Sequence, residues 1–257
     1  MDRRMAFGPR STQWPLLAGV SARLSSIALC AVLLCSAGCG IQANRHNMVG
    51  SQAFQQGQYN VAINEFQQAL RTNAYSADAY YNLGASYAAM GKQGQNQDYL
   101  NQAEQLYRQA ISLDGAHVEA HRGLAALLIE TNREQHAFDL MEQWRQRQPG
   151  STDPIVETAR LYQEYGDTRR ATDLLADALR INPSDVRSLR AMGHLREREG
   201  QTHLALDNYM RALQADPGQT DVAQRVTALQ TQMASQPVPP TWQQPVRYGA
   251  RDPFLSR

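Results

Sequence analysis

From about residue 43 to residue 234, small, apolar and turn-forming residues return at a fixed interval, and that interval is the first structural signal in the chain. Ala103, Ala137, Ala171 and Ala205 are each thirty-four residues apart, with Ala62 forty-one before Ala103. A second column holds Ala69, Ala110, Trp144, Ala178 and Ala212, and a third holds Pro149, Pro183 and Pro217. Turn formers keep the same beat in Gly57, Gly91, Asn132, Gly166 and Gly200. Gly or Asn at such a place accepts the left-handed conformation that stops a helix. Small residues such as Gly84, Gly193 and Ala171 let two helix axes approach, while Tyr87, Tyr107, Leu175 and Tyr209 fill the space beside them. In "TDPIVE", Asp153 can cap a helix whose first turn holds Pro154. The pattern predicts helical units that cannot bury their apolar stripes singly but share one core when stacked.

Thirty-four residues is also the length of the tetratricopeptide repeat (TPR). "AxxLLxxALxxNP" over 171–183 and "MGxLxxxxGxxxxALxxYxxALxxDP" over 192–217 resemble that family most strongly. The resemblance implies an all-α, right-handed superhelical solenoid of about five antiparallel helix pairs. They fall at 43–76, 77–117, 118–151, 152–185 and 186–219, with a capping helix at 220–234. Departures mark strain: His46 and Ala53 predict a fraying first helix, and Trp144 in an alanine column predicts splayed packing. Arg196 shares a column with Tyr87, Leu128 and Tyr162, which predicts an open fifth unit or an acidic partner for this Arg. The seven extra residues of the second unit, "KQGQNQD" after Gly91, read as a solvated loop.

Composition supports helix, since Ala, Leu, Gln, Arg and Glu dominate. A formal charge of +1 gives no reason to expect nucleic-acid binding. Cys30, Cys35 and Cys39 all lie in the first forty residues, so the repeats depend on neither disulfide nor thiolate chemistry. The leader carries Arg3, Arg4, Arg10 and Arg23 ahead of the apolar run "LSSIALCAVLLCSAG", which is short for a membrane-spanning helix. Its end, "SAGC", resembles the bacterial lipoprotein signal, with residues 1–38 removed, Cys39 lipidated and a short linker to residue 42. Ser36 departs from the usual aliphatic residue, and ordinary cleavage or an uncleaved anchor are the alternatives; Arg3-Arg4 is a poor match to a twin-arginine signal. Gly40 after the anchor favours, by resemblance to enterobacterial sorting, a periplasm-facing place on the outer membrane over the inner. Residues 235–257 hold five prolines with Trp242, Tyr248 and Phe254, and read as an extended tail, either disordered or docked.

Catalytic patterns are missing: there is no phosphate-cradling glycine loop, nucleophile elbow or mature cysteine nucleophile. "HVEAH" at 117–121 lacks the Glu that a metalloprotease helix requires, and His121 falls in the packing column of Tyr80, Ile155 and Leu189. Both histidines read as structural, and no cofactor or metal is expected. By resemblance, the first helices line a concave groove. Its middle holds Tyr81, Ala85, Ala88, Ala89, Arg122, Ala126 and Ile129, and its C-terminal end Arg160, Arg187, Arg190, His194 and Arg198. An apolar floor beside arginines suits an extended peptide with an acidic end, because guanidinium groups offer forked donors to carboxylates. The carboxylate clamp of chaperone-binding relatives is not reproduced, with only Asn82 as a counterpart. The expectation is a non-enzymatic, membrane-anchored scaffold for other proteins. An envelope enzyme on a repeat scaffold and a structural homo-oligomer are the alternatives.

Overall fold

The computed structural model describes residues 42–235, so the leader with Cys39 and the proline-rich stretch lie outside the described residues. Eleven helices and no strand occur among them. Helix α1 runs through residues 42–55. It is followed by α2 (Tyr59–Thr72), α3 (Ala77–Gly94), α4 (Gln97–Leu113), α5 (Val118–Glu130) and α6 (Glu134–Arg147). The remainder are α7 (Asp153–Glu164), α8 (Thr168–Ile181), α9 (Val186–Arg198), α10 (Thr202–Ala215) and α11 (Thr220–Ser235). Two compact units divide between Leu127 and Leu128, inside α5. The fold is of the all-α repeat class.

Local chemistry sets the helix ends. Ser76, Asn96, Asp167 and Asp185 each accept a backbone N–H from the first turn of α3, α4, α8 and α9. Gly57, Asn132, Gly166 and Gly200 adopt the left-handed conformation at the hairpin bends. Gly91 does not. It lies within α3, and the left-handed residue of that hairpin is Gln95, at φ 48°. The expected solvated loop is therefore mostly helix: α3 is five residues longer than α9, α4 three longer than α10, and the connection one shorter. An insertion of seven residues adds nearly two turns, so dividing it between both helices preserves the hairpin's facing surfaces. Gly91 serves that lengthened contact, because a Cβ there would stand 2.6 Å from Leu100 Cδ2.

In the first unit, α1, α2 and α3 enclose Ala53, Ala62, Phe66 and Leu83. Helix α1 is continuous through residues 42–55, and His46 Nδ1 lies 2.7 Å from Glu65 Oε2. Glycine opposite aromatic is the recurring contact: an added Cβ would approach Phe66 at 2.7 Å from Gly50 and Tyr107 at 3.0 Å from Gly84. Gly123 closes on the same Tyr107 from α5, at 2.9 Å.

In the second unit, Ile155, Ala159, Ala171, Leu175, Ala178 and Met192 form one cluster; Leu189, Ala205, Tyr209, Ala212, Val222 and Val226 form the next. Gly193 meets Tyr209 in the same glycine–aromatic contact. Val222, Val226 and Leu229 of α11 are buried while the rest of that helix is mostly polar and exposed, as a terminal cap requires. Trp144 is buried as fully as the alanines of its column, and its Nε1–H donates to Gln148 Oε1 at 3.2 Å. A cleft of about 480 Å³ over Ile155 lies between the ends of α6 and α8, lined by Arg145, Pro149 and Ile181 and not by Trp144. Arg196 is half-buried without a carboxylate partner among the described residues.

Candidate protein-binding surface

In each hairpin the first helix turns one stripe inward to its partner and leaves a second stripe open, and the open stripe carries the side chains singled out by register. In the first unit this surface is lined mainly by amides, hydroxyls and apolar groups, with the Asp78 and Glu119 carboxylates at one cleft and Lys92 at the other. Asn44, Asn47 and Ser51 of α1 face Tyr81 and Asn82 of α3 across a cleft of about 430 Å³, with His117 at its edge. The Asn47 Oδ1 is buried without a hydrogen-bond partner among the described residues. A second cleft, of about 720 Å³, has Ala85, Ala88 and Ala89 as its floor and Phe54, Tyr59 and Tyr107 among its walls.

His117 organises the first cleft. It precedes α5, and Ala120 N–H donates to its Nδ1 at 3.2 Å, which leaves Nε2–H to donate to Asp78 Oδ1 at 3.1 Å. Its ring lies 5.3 Å from that of Tyr81. Burial, and secondarily the Glu119 carboxylate, raise the Tyr81 phenol above its ordinary range, so it stays a neutral donor. His121 Nδ1 is 3.0 Å from the His117 carbonyl oxygen. Backbone groups thus occupy a ring nitrogen of each histidine, and no group of three metal-ligating side chains occurs among the described residues.

The corresponding stripe of the second unit is charged and largely paired within itself, although Arg160 Nη2 is buried without a hydrogen-bond partner among the described residues. Glu157, 1% exposed, receives Arg160 Nε on one carboxylate oxygen at 3.0 Å and Arg187 on the other. Arg187 also donates to Asp153, and Arg160 to Glu164. Asp153 is therefore not the cap of α7. It is that helix's first residue, Thr152 stands at the cap without a side-chain bond, and the Asp153 carboxylate braces α9. Arg190 lies 3.8 Å from Asp221. Further along, Tyr209 O–H donates to Glu197 Oε2 at 3.1 Å and sits 2.8 Å from His194 Nδ1, while Arg225 forks onto Glu197. Hydrogen bonding from Arg225 holds the Glu197 carboxyl low; burial holds the His194 imidazole low and pushes the Tyr209 phenol up.

The register-derived residues thus fall into two groups. Tyr81 and Ala85 line adjoining clefts of the first unit, and Arg122 and Ile129 are half-buried on α5. Arg160 and Arg187 are held by carboxylates of their own unit. Arg190, His194 and Arg198 keep more open positions. Asn44 and Asn47 were passed over although they occupy in α1 the register of Asp78 and Tyr81 in α3; the same rule applied one unit earlier finds them. Glu157 was missed as well. Its signal was its place three residues before Arg160, one helical turn away, and close to one repeat length before Arg187.

Comparison with known proteins places this geometry. Residues 50–91 match the model described as TPR repeat, and residues 92–152 the one described as tetratricopeptide repeat. The chain is 23% identical over 186 residues to the DnaJ homolog subfamily C member 7 homolog of Schizosaccharomyces pombe, covering 68% of this chain and 39% of that protein. It is 25% identical over 175 residues to the BBSome complex member BBS4 homolog of Drosophila melanogaster, covering 66% and 36%. The chain spans less than two-fifths of the length of either relative. A thermophilic TPR protein of Thermus thermophilus superposes with a TM-score of 0.53 at 18% identity, over 74% of this chain and 99% of that one. The likeness to that structure is one of fold.

Proposed function

We propose that the protein is a non-enzymatic scaffold that holds an extended segment of another protein on the open face of α1, α3 and α5. TPR folds are protein-interaction scaffolds; the finer reading rests on the first unit's clefts. The observation that carries it is Asn47 Oδ1, a buried acceptor left unmatched beside Asn44, Asn82 and Tyr81. Such an acceptor costs about 1–3 kcal/mol, which a backbone N–H of a bound chain would relieve. Ala85, Ala88 and Ala89 supply the adjoining apolar floor. Within the second unit, Arg190 and Arg198 are partly open guanidinium groups suited to an acidic peptide, whereas Arg160 and Arg187 act as braces.

The scaffold is further proposed to be lipid-anchored through Cys39 in a bacterial envelope, facing the periplasm and favouring the outer membrane. The "SAGC" ending of the leader supports this. No helix among the described residues is long and apolar enough to cross a membrane. Replacing Cys39 with Ala should move the protein to a soluble or unprocessed fraction; unchanged processing and attachment would refute the anchor. For the groove, Tyr81→Ala combined with Asn47→Ala should lower partner crosslinking in the native cell at least tenfold with helicity retained. Undiminished crosslinking would refute the assigned face.

A further inference from the structure

The cleft between α1 and α3 carries a charge that the groove reading leaves unused. Asp78, in the first turn of α3, and Glu119, in the first turn of α5, both line it, with side chains 81% and 55% exposed. Neither carboxylate meets a cationic side chain among the described residues. His117 lies against both, but Ala120 N–H donates to its Nδ1, so that nitrogen turns a lone pair and no proton toward Glu119 Oε2, 3.5 Å away. The Nε2–H goes to Asp78 Oδ1 and leaves the second oxygen of that carboxylate without a partner among the described residues. Arg45 and Arg122 are outside the lining, and His46 is turned to Glu65.

The other lining groups complete a receptor for a long basic side chain. The space is about 430 Å³. Met48, 67% exposed, and the Tyr81 ring supply apolar surface for a methylene stem, and the face of that ring attracts a cation. Both carboxylates lie within 3.5 Å of one imidazole, so a single entering head group feels both charges. Hydrogen bonds from an ammonium or guanidinium to a carboxylate are about twice as strong as neutral ones. We infer, building on the groove reading above, that this cleft takes a lysine or arginine side chain of the bound segment, its head drawn to Asp78 and Glu119 and its stem laid along Met48 and Tyr81. The buried Asn47 Oδ1 then remains for the backbone N–H of the same segment.

A library of heptapeptides with neutral ends, randomised at each position and passed over the immobilised full chain, tests the basic pocket. Lys and Arg should rise at least fivefold over their input at one position, beside positions that favour apolar residues. Asp78→Asn combined with Glu119→Gln should abolish the basic enrichment while the apolar preference and the helicity persist. Asp98→Asn combined with Asp139→Asn removes the same charge from exposed sites off the cleft and should leave the enrichment intact. Peptides retained without a basic preference, a preference that survives the Asp78 and Glu119 substitutions, or one lost equally with the Asp98 and Asp139 substitutions would overturn the basic pocket and leave the groove reading standing. Retention of no peptide, or retention unaffected by Tyr81→Ala combined with Asn47→Ala, would instead refute the groove itself and the pocket with it.

Discussion

The two units use the same hairpin for opposite ends. In the first, the open stripe of α1 and α3 presents amides, alanines and a neutral phenol beside the Asp78 carboxylate, with the Asn47 Oδ1 acceptor unmatched among the described residues. In the second, the equivalent stripe of α7 and α9 is tied to itself, with Glu157 gripping two guanidinium groups from within the fold. A groove lined with arginine is thus not the same as a groove offering arginine. Charge read from sequence counts side chains; what a surface can attract depends on which of them already hold a counter-charge.

The sharpest way to break this contrast is to remove its anchor. Glu157→Ala leaves Arg160 and Arg187 facing each other without their shared acid, and breaking a buried pair of this kind costs about 3 kcal/mol. Amide exchange should accelerate in α7–α9 and stay unchanged in α1–α4. Uniform acceleration, or none, would show that the network does not brace the second unit. A smaller effect of opposite sign is expected in the first unit. Gln95 occupies the left-handed region at φ 48°, exposed, where glycine carries no steric penalty. Gln95→Gly should raise stability by about 1 kcal/mol without altering partner capture, read from chemical denaturation.

Acid should act on the second unit with the smallest effect. Burial holds His194 low, so the unfolded chain takes up the proton first; this contribution is intact above about pH 6.5 and declines as pH falls below it. Glu197 is also held low, by Arg225, and its contribution is intact above about pH 4.3 and lost below. Solvent reaching the open side of the His194 ring screens this contribution and keeps it small. Protection factors in α9–α11, with the intrinsic slowing of exchange in acid divided out, should fall slightly between pH 7 and 5, and His194→Gln should abolish that change.

The fold class was legible because its determinants are local and periodic. Asn132 takes the left-handed bend that its place among glycines implies, and the alanine columns are the buried contacts. The insertion was misread because Gly and Gln composition signals a loop, while the spare turns could be absorbed by two helices already packed side by side. Gly91 shows the same ambiguity, since glycine marks a bend in one place and a close helix contact in another. Tyr81 and Ala85 followed from register alone. The pairing of Arg187 with Asp153 and Glu157 did not, because it joins neighbouring repeats, and a register reading treats each repeat by itself.

Ala85 and His194 occupy the same register in the second and fifth repeats, one at the alanine-floored cleft and one on the braced stripe. A photo-crosslinking amino acid placed at each in turn, in the full chain in its native cell, compares the two surfaces directly. Crosslinks to partner proteins should form predominantly from position 85. Abundant crosslinks from 194 with none from 85 would contradict the account.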